Sequence, residues 1–165
     1  MKQIKPDLKK VGTVWCTSET CSEACVRLAR KKCAELGIEL LEMSVENTTQ
    51  ILEAAMSLTS RGVEALWVGG DNVVEAAIDQ MINAAAKARI PLIINNTNSV
   101  YGNTLFGLGA KYTEVGYLAG QMAADVLEGK PTSEIGIRNM VPLHLLVNPD
   151  ALNNIHDKWK LPEEL

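Results

Sequence analysis

The sequence predicts an α/β fold, a three-layer αβα sandwich on a mainly parallel sheet, and three observations carry that expectation. Short apolar runs alternate with stretches of helical periodicity through the first hundred residues. The connections between them are short, so each strand–helix–strand step should close as a right-handed crossover. The run PLIINN from Pro91 shows no polar alternation, as a strand buried on both faces requires.

The first strand is read over residues 11–15, VGTVW. A helix follows over about 22–36, with Cys25, Leu28, Ala29, Cys33 and Leu36 on one face, and Gly37 stops it. Residues 38–45, IELLEMSV, form the second strand. Residues 47–60 form the second helix, with Ile51, Leu52, Ala55 and Leu58 inward. Gly62 precedes the strand EALWVG, and a third helix runs over 72–88 with Val74, Ile78, Met81, Ile82 and Ala85 as its stripe. Pro91 opens the fourth strand, which completes a βαβαβαβ unit. Beyond Asn96 come the turn-rich TNSVYGN, a glycine-punctuated strand TLFGLGA, and a helix over 112–128 that Gly129-Lys130-Pro131 ends. Residues 140–148 form a last strand, and Pro149 opens a short helix in PDALNNIHDKW.

At 165 residues the chain can bury a full core and reads as one domain. Its 47% hydrophobic and 22% charged residues exclude a disordered chain, and a net charge of -4 without a basic stripe excludes nucleic acid. The apolar runs are too short to span a bilayer, and MKQIKPDLKK is too polar for a signal peptide. At face value this is a cytosolic protein, although a domain cut from a longer secreted chain looks the same.

Three helix starts carry capping-box patterns: Thr20-x-x-Glu23, Asn47-x-x-Gln50 and Asn72-x-x-Glu75. Each follows the C-terminal end of a strand, so their free N–H groups should share one crevice, suited to a carboxylate as well as a phosphate. In WVGGDNVVEAA neither G-x-G-x-x-G nor a phosphate loop is present, and Asp71 would repel phosphate. Asp71 either supports the turn while Asn72 caps the helix, or accepts hydrogen bonds from a ligand's ammonium or hydroxyl groups. The loop CTSETCSE offers the hydroxyls of Thr17, Ser18, Thr20 and Ser22, and NNTNS offers Asn95 and Thr97; both are also ordinary capped loops.

Catalytic parts are lacking. Cys16, Cys21, Cys25 and Cys33 fit known metal spacings poorly, and Cys25 and Cys33 read as small core hydrophobes. A Cys16–Cys21 disulfide is left open, because geometry decides it. His144 and His156 have no nucleophile at a recognisable motif. Trp15 and Trp67 end strands and are read as packing residues that could stack on an aromatic ligand. Neither a metal nor a cofactor is expected.

LKKVGTVW with a Ser-Glu loop behind it, the Asp-Asn after strand three, ARIPLI, GLGAKYTEVGYLAGQMAADVLEGKPTSEI and LLVNPDAL together resemble ABC-transporter substrate-binding proteins of the tryptophan/tyrosine type. The family's C-terminal signature appears with Tyr112, Gly116, Leu127, Gly129 and Pro131 in matching places. The resemblance implies one lobe of a two-lobed type I periplasmic-binding-protein-like fold. Residues 4–97 would be its core and 98–139 a crossing segment whose helix packs on an absent first lobe. Residues 140–165 would be a returning strand and C-terminal helix. It further implies an amino-acid ligand, aromatic by family default, an extracytoplasmic location and a membrane permease as partner.

The positions carried over are Asp71-Asn72 and Ser18-Glu19. The sequence departs from the family around the second pair, with Trp15-Cys16-Thr17 before it and Cys21-Ser22 after, so the ligand is open there. A ligand carboxylate is expected at the Thr20/Ser22 helix start and its ammonium near Asp71. The stripe Val115, Leu118, Ala119, Met122, Ala123 and Val126 predicts self-association as a homodimer. A sensory ligand-binding domain would use the same lobe. A flavodoxin-like enzyme or signalling domain would need acids around Asp71, and only Glu46 is near in sequence.

Overall fold

The computed structural model describes residues 1–136 and 141–162. Among them a six-stranded sheet runs in the order β2-β1-β3-β4-β5-β6. Its strands are β1 (Lys10–Cys16), β2 (Glu39–Val45), β3 (Ala65–Val68), β4 (Leu92–Ile94), β5 (Thr104–Ala110) and β6 (Leu143–Val147). The first five are mutually parallel, and β6 pairs antiparallel with β5 from Phe106↔Val147 to Ala110↔Leu143. The predicted last strand lies where expected, though its first residue, Met140, is outside the described residues.

Right-handed crossovers fix which helix covers which face. The helix α1 (Thr20–Glu35) steps from β1 to β2 in one direction, whereas α2 (Ile51–Ser60) and α4 (Ile78–Ala88) step the other way. The faces they cover are therefore opposite. On the α2/α4 face, Val14, Leu66, Val68, Leu92 and Ile94 pack with Ile51, Ala55, Leu58, Met81 and Ala85. On the other, Val11, Ala65, Ile93 and Leu105 pack beneath Ile4, Leu8, Ala151, Ile155 and Trp159 from the two terminal segments. Fully burying an aliphatic side chain contributes about 1.5–3 kcal/mol, so these two clusters supply most of the drive to fold.

A buried cation joins the terminal segments to the sheet edge away from the strand ends. The Lys5 side chain is 6% exposed, lies 3.5 Å from Asp157 and 3.9 Å from Glu64, and sits over the Trp159 ring. Glu64 accepts from the Lys9 and Lys10 amides with its other oxygen, which anchors the start of β1.

Several expectations are corrected. Ser22 and Val26 are the buried residues of α1, and Cys25, Ala29 and Cys33 of the predicted stripe are half-buried beside them; Leu28 and Leu36 are 63% and 51% exposed, Leu28 on the outer side and Leu36 past the helix end. The third helix is two pieces, α3 (Asn72–Glu75) and α4, broken at Ala76–Ala77 with no Gly or Pro to mark it. Its stripe Val74, Ile78, Met81, Ile82 and Ala85 is buried as expected. The C-terminal helix is a 3₁₀ turn, Pro149–Asn153.

The helix α5 (Tyr112–Leu127) has no buried residue. Tyr117, Met122, Val126 and Leu127 are all exposed, as are Leu143 and Leu146 on the neighbouring edge strand. The chain exposes 9615 Å², against about 8,000 Å² for a compact monomer of its 17.9 kDa.

Candidate functional site

Strand order places a topological switch between β1 and β3, where consecutive crossovers leave in opposite directions. Loops part at such a point and open a crevice outside the carboxyl ends of the strands. The loop 17–19 after β1 and Gly69–Asp71 after β3 flank it here.

Asp71 holds this region together. It is 3% exposed, and its Oδ2 accepts from the Cys16 amide and the Ser22 hydroxyl, both at 2.6 Å. Its Oδ1 accepts from the Val74 amide at 2.9 Å and so caps α3. One carboxylate thus joins the end of β1, the first turn of α1 and the start of α3. Hydrogen bonds to an ionised, desolvated acceptor are among the stronger ones a fold can make.

Two capping expectations change. Asp71, not Asn72, is the cap, and Glu75 does not close a box; its carboxylate accepts from Asn96 Nδ2 at 2.9 Å. In α1 the capping position is Glu19, without a side-chain cap, and Thr20 is the first helical residue. At the Asn47 start the cap is as expected, with Asn47 Oδ1 accepting from the Thr49 amide, but Gln50 reaches back to the Glu46 amide and not to that of Asn47, and Thr48–Gln50 is a 3₁₀ turn ahead of α2.

The predicted site residues divide by depth. Ser18, Thr20, Asn72 and Asn95 are exposed, and Glu19 and Thr97 half-buried. Asn72 Nδ2 lies 3.5 Å from Glu19 Oε2, across the crevice. Asp71 and Ser22, by contrast, lie beneath the rim, bonded to each other. Asn95 and Thr97 sit one strand further on, tied in through the Asn96–Glu75 bond.

Sequence reading overlooked Lys111 and Thr113, and it weighed Trp67 and His144 without placing them at this rim. The indole N–H of Trp67 donates to Asn95 Oδ1 at 3.1 Å, which orients that amide at the rim. Lys111, Thr113 and His144 meet Thr97 around an open concavity of about 340 Å³ at the β5–β6 end of the edge. The signal for these was positional, since Lys111 follows the fifth parallel strand as Thr17 follows the first. The close approach of loop 95–99 to β5 depends on glycine. A Cβ at Gly109 would overlap the Asn95 carbonyl oxygen, and one at Gly107 would crowd Val100 and Thr97.

All four cysteines are free thiols. Cys16 Sγ is 3.1 Å from the Ser18 hydroxyl, and Cys21 Sγ donates to the Gly70 carbonyl at 3.0 Å. Partial desolvation, then Cys25 and the carboxylates of Glu19, Asp71 and Glu75, push the Cys21 thiol above its ordinary pKa. That end of the crevice is therefore electronegative. Among the described residues no cluster of three or more His, Cys, Asp or Glu could hold a metal, and no helix is long and apolar enough to cross a membrane.

A family model described as ABC transporter substrate binding protein matches residues 1–163. The chain is 28% identical over 161 residues to the tyrosine-binding protein of Clostridioides difficile (strain R20291), covering 98% of this chain and 46% of that protein. A conserved domain protein from Vibrio cholerae O1 superimposes with a TM-score of 0.84 at 25% identity, over 98% of this chain and 54% of that one. An ABC domain from Streptococcus pneumonia, solved in complex with L-Trp, superimposes at 0.82 with 20% identity, over the same shares, and shows the shared fold. The chain spans about half the length of these relatives.

Proposed function

Because the chain belongs to the family of ABC transporter substrate binding proteins, we propose that it is the ligand-receiving lobe of an amino-acid-binding solute receptor, with no catalytic step. The observation that carries this reading is the polar, solvent-facing rim at the carboxyl ends of β1, β3 and β4, centred on the topological switch. Ser18, Glu19, Thr20, Asn72, Asn95 and Thr97 would face the ligand, while Asp71 and Ser22 hold those groups in place from below. Support for an aromatic amino acid comes from relatives that bind tyrosine or were solved with L-Trp, and from Trp67 beside Asn95.

One lobe encloses only part of a ligand, and affinity in pockets comes from burying most of its surface. Binding by this chain should therefore be weak, in the millimolar range. Titration with L-tryptophan, followed by backbone amide shifts, tests the reading.

In the cell the lobe would work outside the cytoplasmic membrane and hand its ligand to the permease of an uptake transporter. The exposed apolar face of α5 would be covered by a second lobe where one is joined to it, and by a second copy of this chain otherwise. Sedimentation of the 165-residue chain should then show a dimer at high concentration that Val115→Lys with Met122→Lys dissolves. A monomer at every concentration contradicts it.

A further inference from the structure

We propose that the ligand's carboxylate is received in the concavity between the β4 loop, the start of α5 and β6, by Thr97, Lys111, Thr113 and His144, and not at the start of α1. This inference rests on the amino-acid reading of the strand edge. It gives the bound ligand a direction, with its carboxylate toward β5–β6 and its ammonium toward β1–β3.

The concavity is built into the fold, not left by a loose surface. Its walls meet because Gly107 and Gly109 let loop 95–99 lie directly on β5. Lys111 is tied to β6 through its own amide, which donates to the Pro142 carbonyl. The volume of about 340 Å³ falls at the lower end of the range for small-molecule sites. Among the described residues no carboxylate lines it; the polar side chains around it are hydroxyls, an amide, an imidazole and the Lys111 ammonium. The Lys111 pairing with Glu114 is half-exposed and three residues along the helix, a contact worth little, so the ammonium can turn to a ligand. No side chain caps the start of α5, which leaves room for an anion there.

The start of α1 also lacks a side-chain cap, but its surroundings are acidic. Two donors that could hold a carboxylate there, the Cys16 amide and the Ser22 hydroxyl, are both spent on Asp71. Glu19 precedes α1, and the carboxylates of Asp71 and Glu75 lie at α3 across the crevice from it. A carboxylate arriving at α1 meets like charge and finds those two donors taken, whereas an ammonium is drawn to the same charge.

The test titrates L-tryptophan and L-tryptophanamide, which lacks the negative charge, into the full chain and into Lys111→Met and His144→Gln, read by amide shifts. Lys111→Met is expected to weaken L-tryptophan roughly tenfold, as loss of a charge-assisted contact does, and to leave the carboxamide within about twofold. His144→Gln should shift the two probes in the same unequal way, and it keeps the test valid should Lys111→Met disturb α5. Equal losses for both probes, or none, overturn the proposal, as does an acid-versus-amide difference centred on residues 20–23. If neither probe moves any wild-type amide, the amino-acid reading itself falls, and the seat with it.

Discussion

Asp71 is where function and stability meet in a single side chain. Its carboxylate is buried and accepts three hydrogen bonds from three separate elements. Removing it would orphan two buried donors and uncap α3, losses of about 1 kcal/mol or more each that water entering the vacated space partly offsets. Asp71→Ala should lower unfolding free energy by about 2–4 kcal/mol in urea denaturation, with Asp71→Asn losing less because it keeps one acceptor oxygen. An Asp71→Ala protein as stable as the parent contradicts this role. The sequence marked both Asp71 and Ser22, yet it could not show that they bond each other across 49 positions. Capping patterns are local, and they pointed to Asn72 and Thr20; α3 is capped by Asp71, one residue earlier, and α1 starts behind Glu19 with no side-chain cap.

Among the elements, strands were the most legible and helices the least. TLFGLGA is β5 residue for residue, since its apolar run is bounded by turn formers on one side and Lys111 on the other. Its glycines were visible as punctuation, but their purpose needed the fold. Gly109 lies where β5 passes the Asn95 carbonyl, and any side chain there forces loop 95–99 away. Gly109→Ala should therefore weaken L-tryptophan binding by about tenfold or more and shift the amides of residues 95–98, with smaller changes at 17–22. An Ala variant whose loop amides are unmoved rules out the close approach. The α1 stripe was right at Cys25, Ala29 and Cys33 and wrong at Leu28 and Leu36, because this helix is half-exposed and a weak amphipathic signal does not fix the width of its inner face. The break between α3 and α4 was illegible for a different reason. Its residues are all good helix formers, and the constraint comes from Asp71 at one end and from packing at the other.

For the whole molecule, alternation alone implied a parallel sheet, and that is what forms. Strand order was not legible, because periodicity carries no information about which strand lies beside which. That order places the switch point between β1 and β3, so it turns a list of capped loops into one crevice. The candidate site was half legible: residues following β1, β3 and β4 were marked, whereas at the β5–β6 concavity Lys111 and Thr113 were not, and His144 was weighed only as a catalytic group. Their chemistry is ordinary in sequence and becomes notable only around a shared concavity. The exposed α5 face was legible as an apolar stripe, and the fold leaves it without a buried residue.

The central claim is that an amino acid binds along the carboxyl ends of the parallel strands. The most direct measurement is an amide chemical-shift map of the 165-residue chain titrated with L-tryptophan. Saturable shifts should cluster at residues 17–22, 70–72, 95–98 and 111–113, while the Lys5–Glu64–Asp157 edge stays silent. No shifts at millimolar ligand, or shifts centred on that opposite edge, would contradict it.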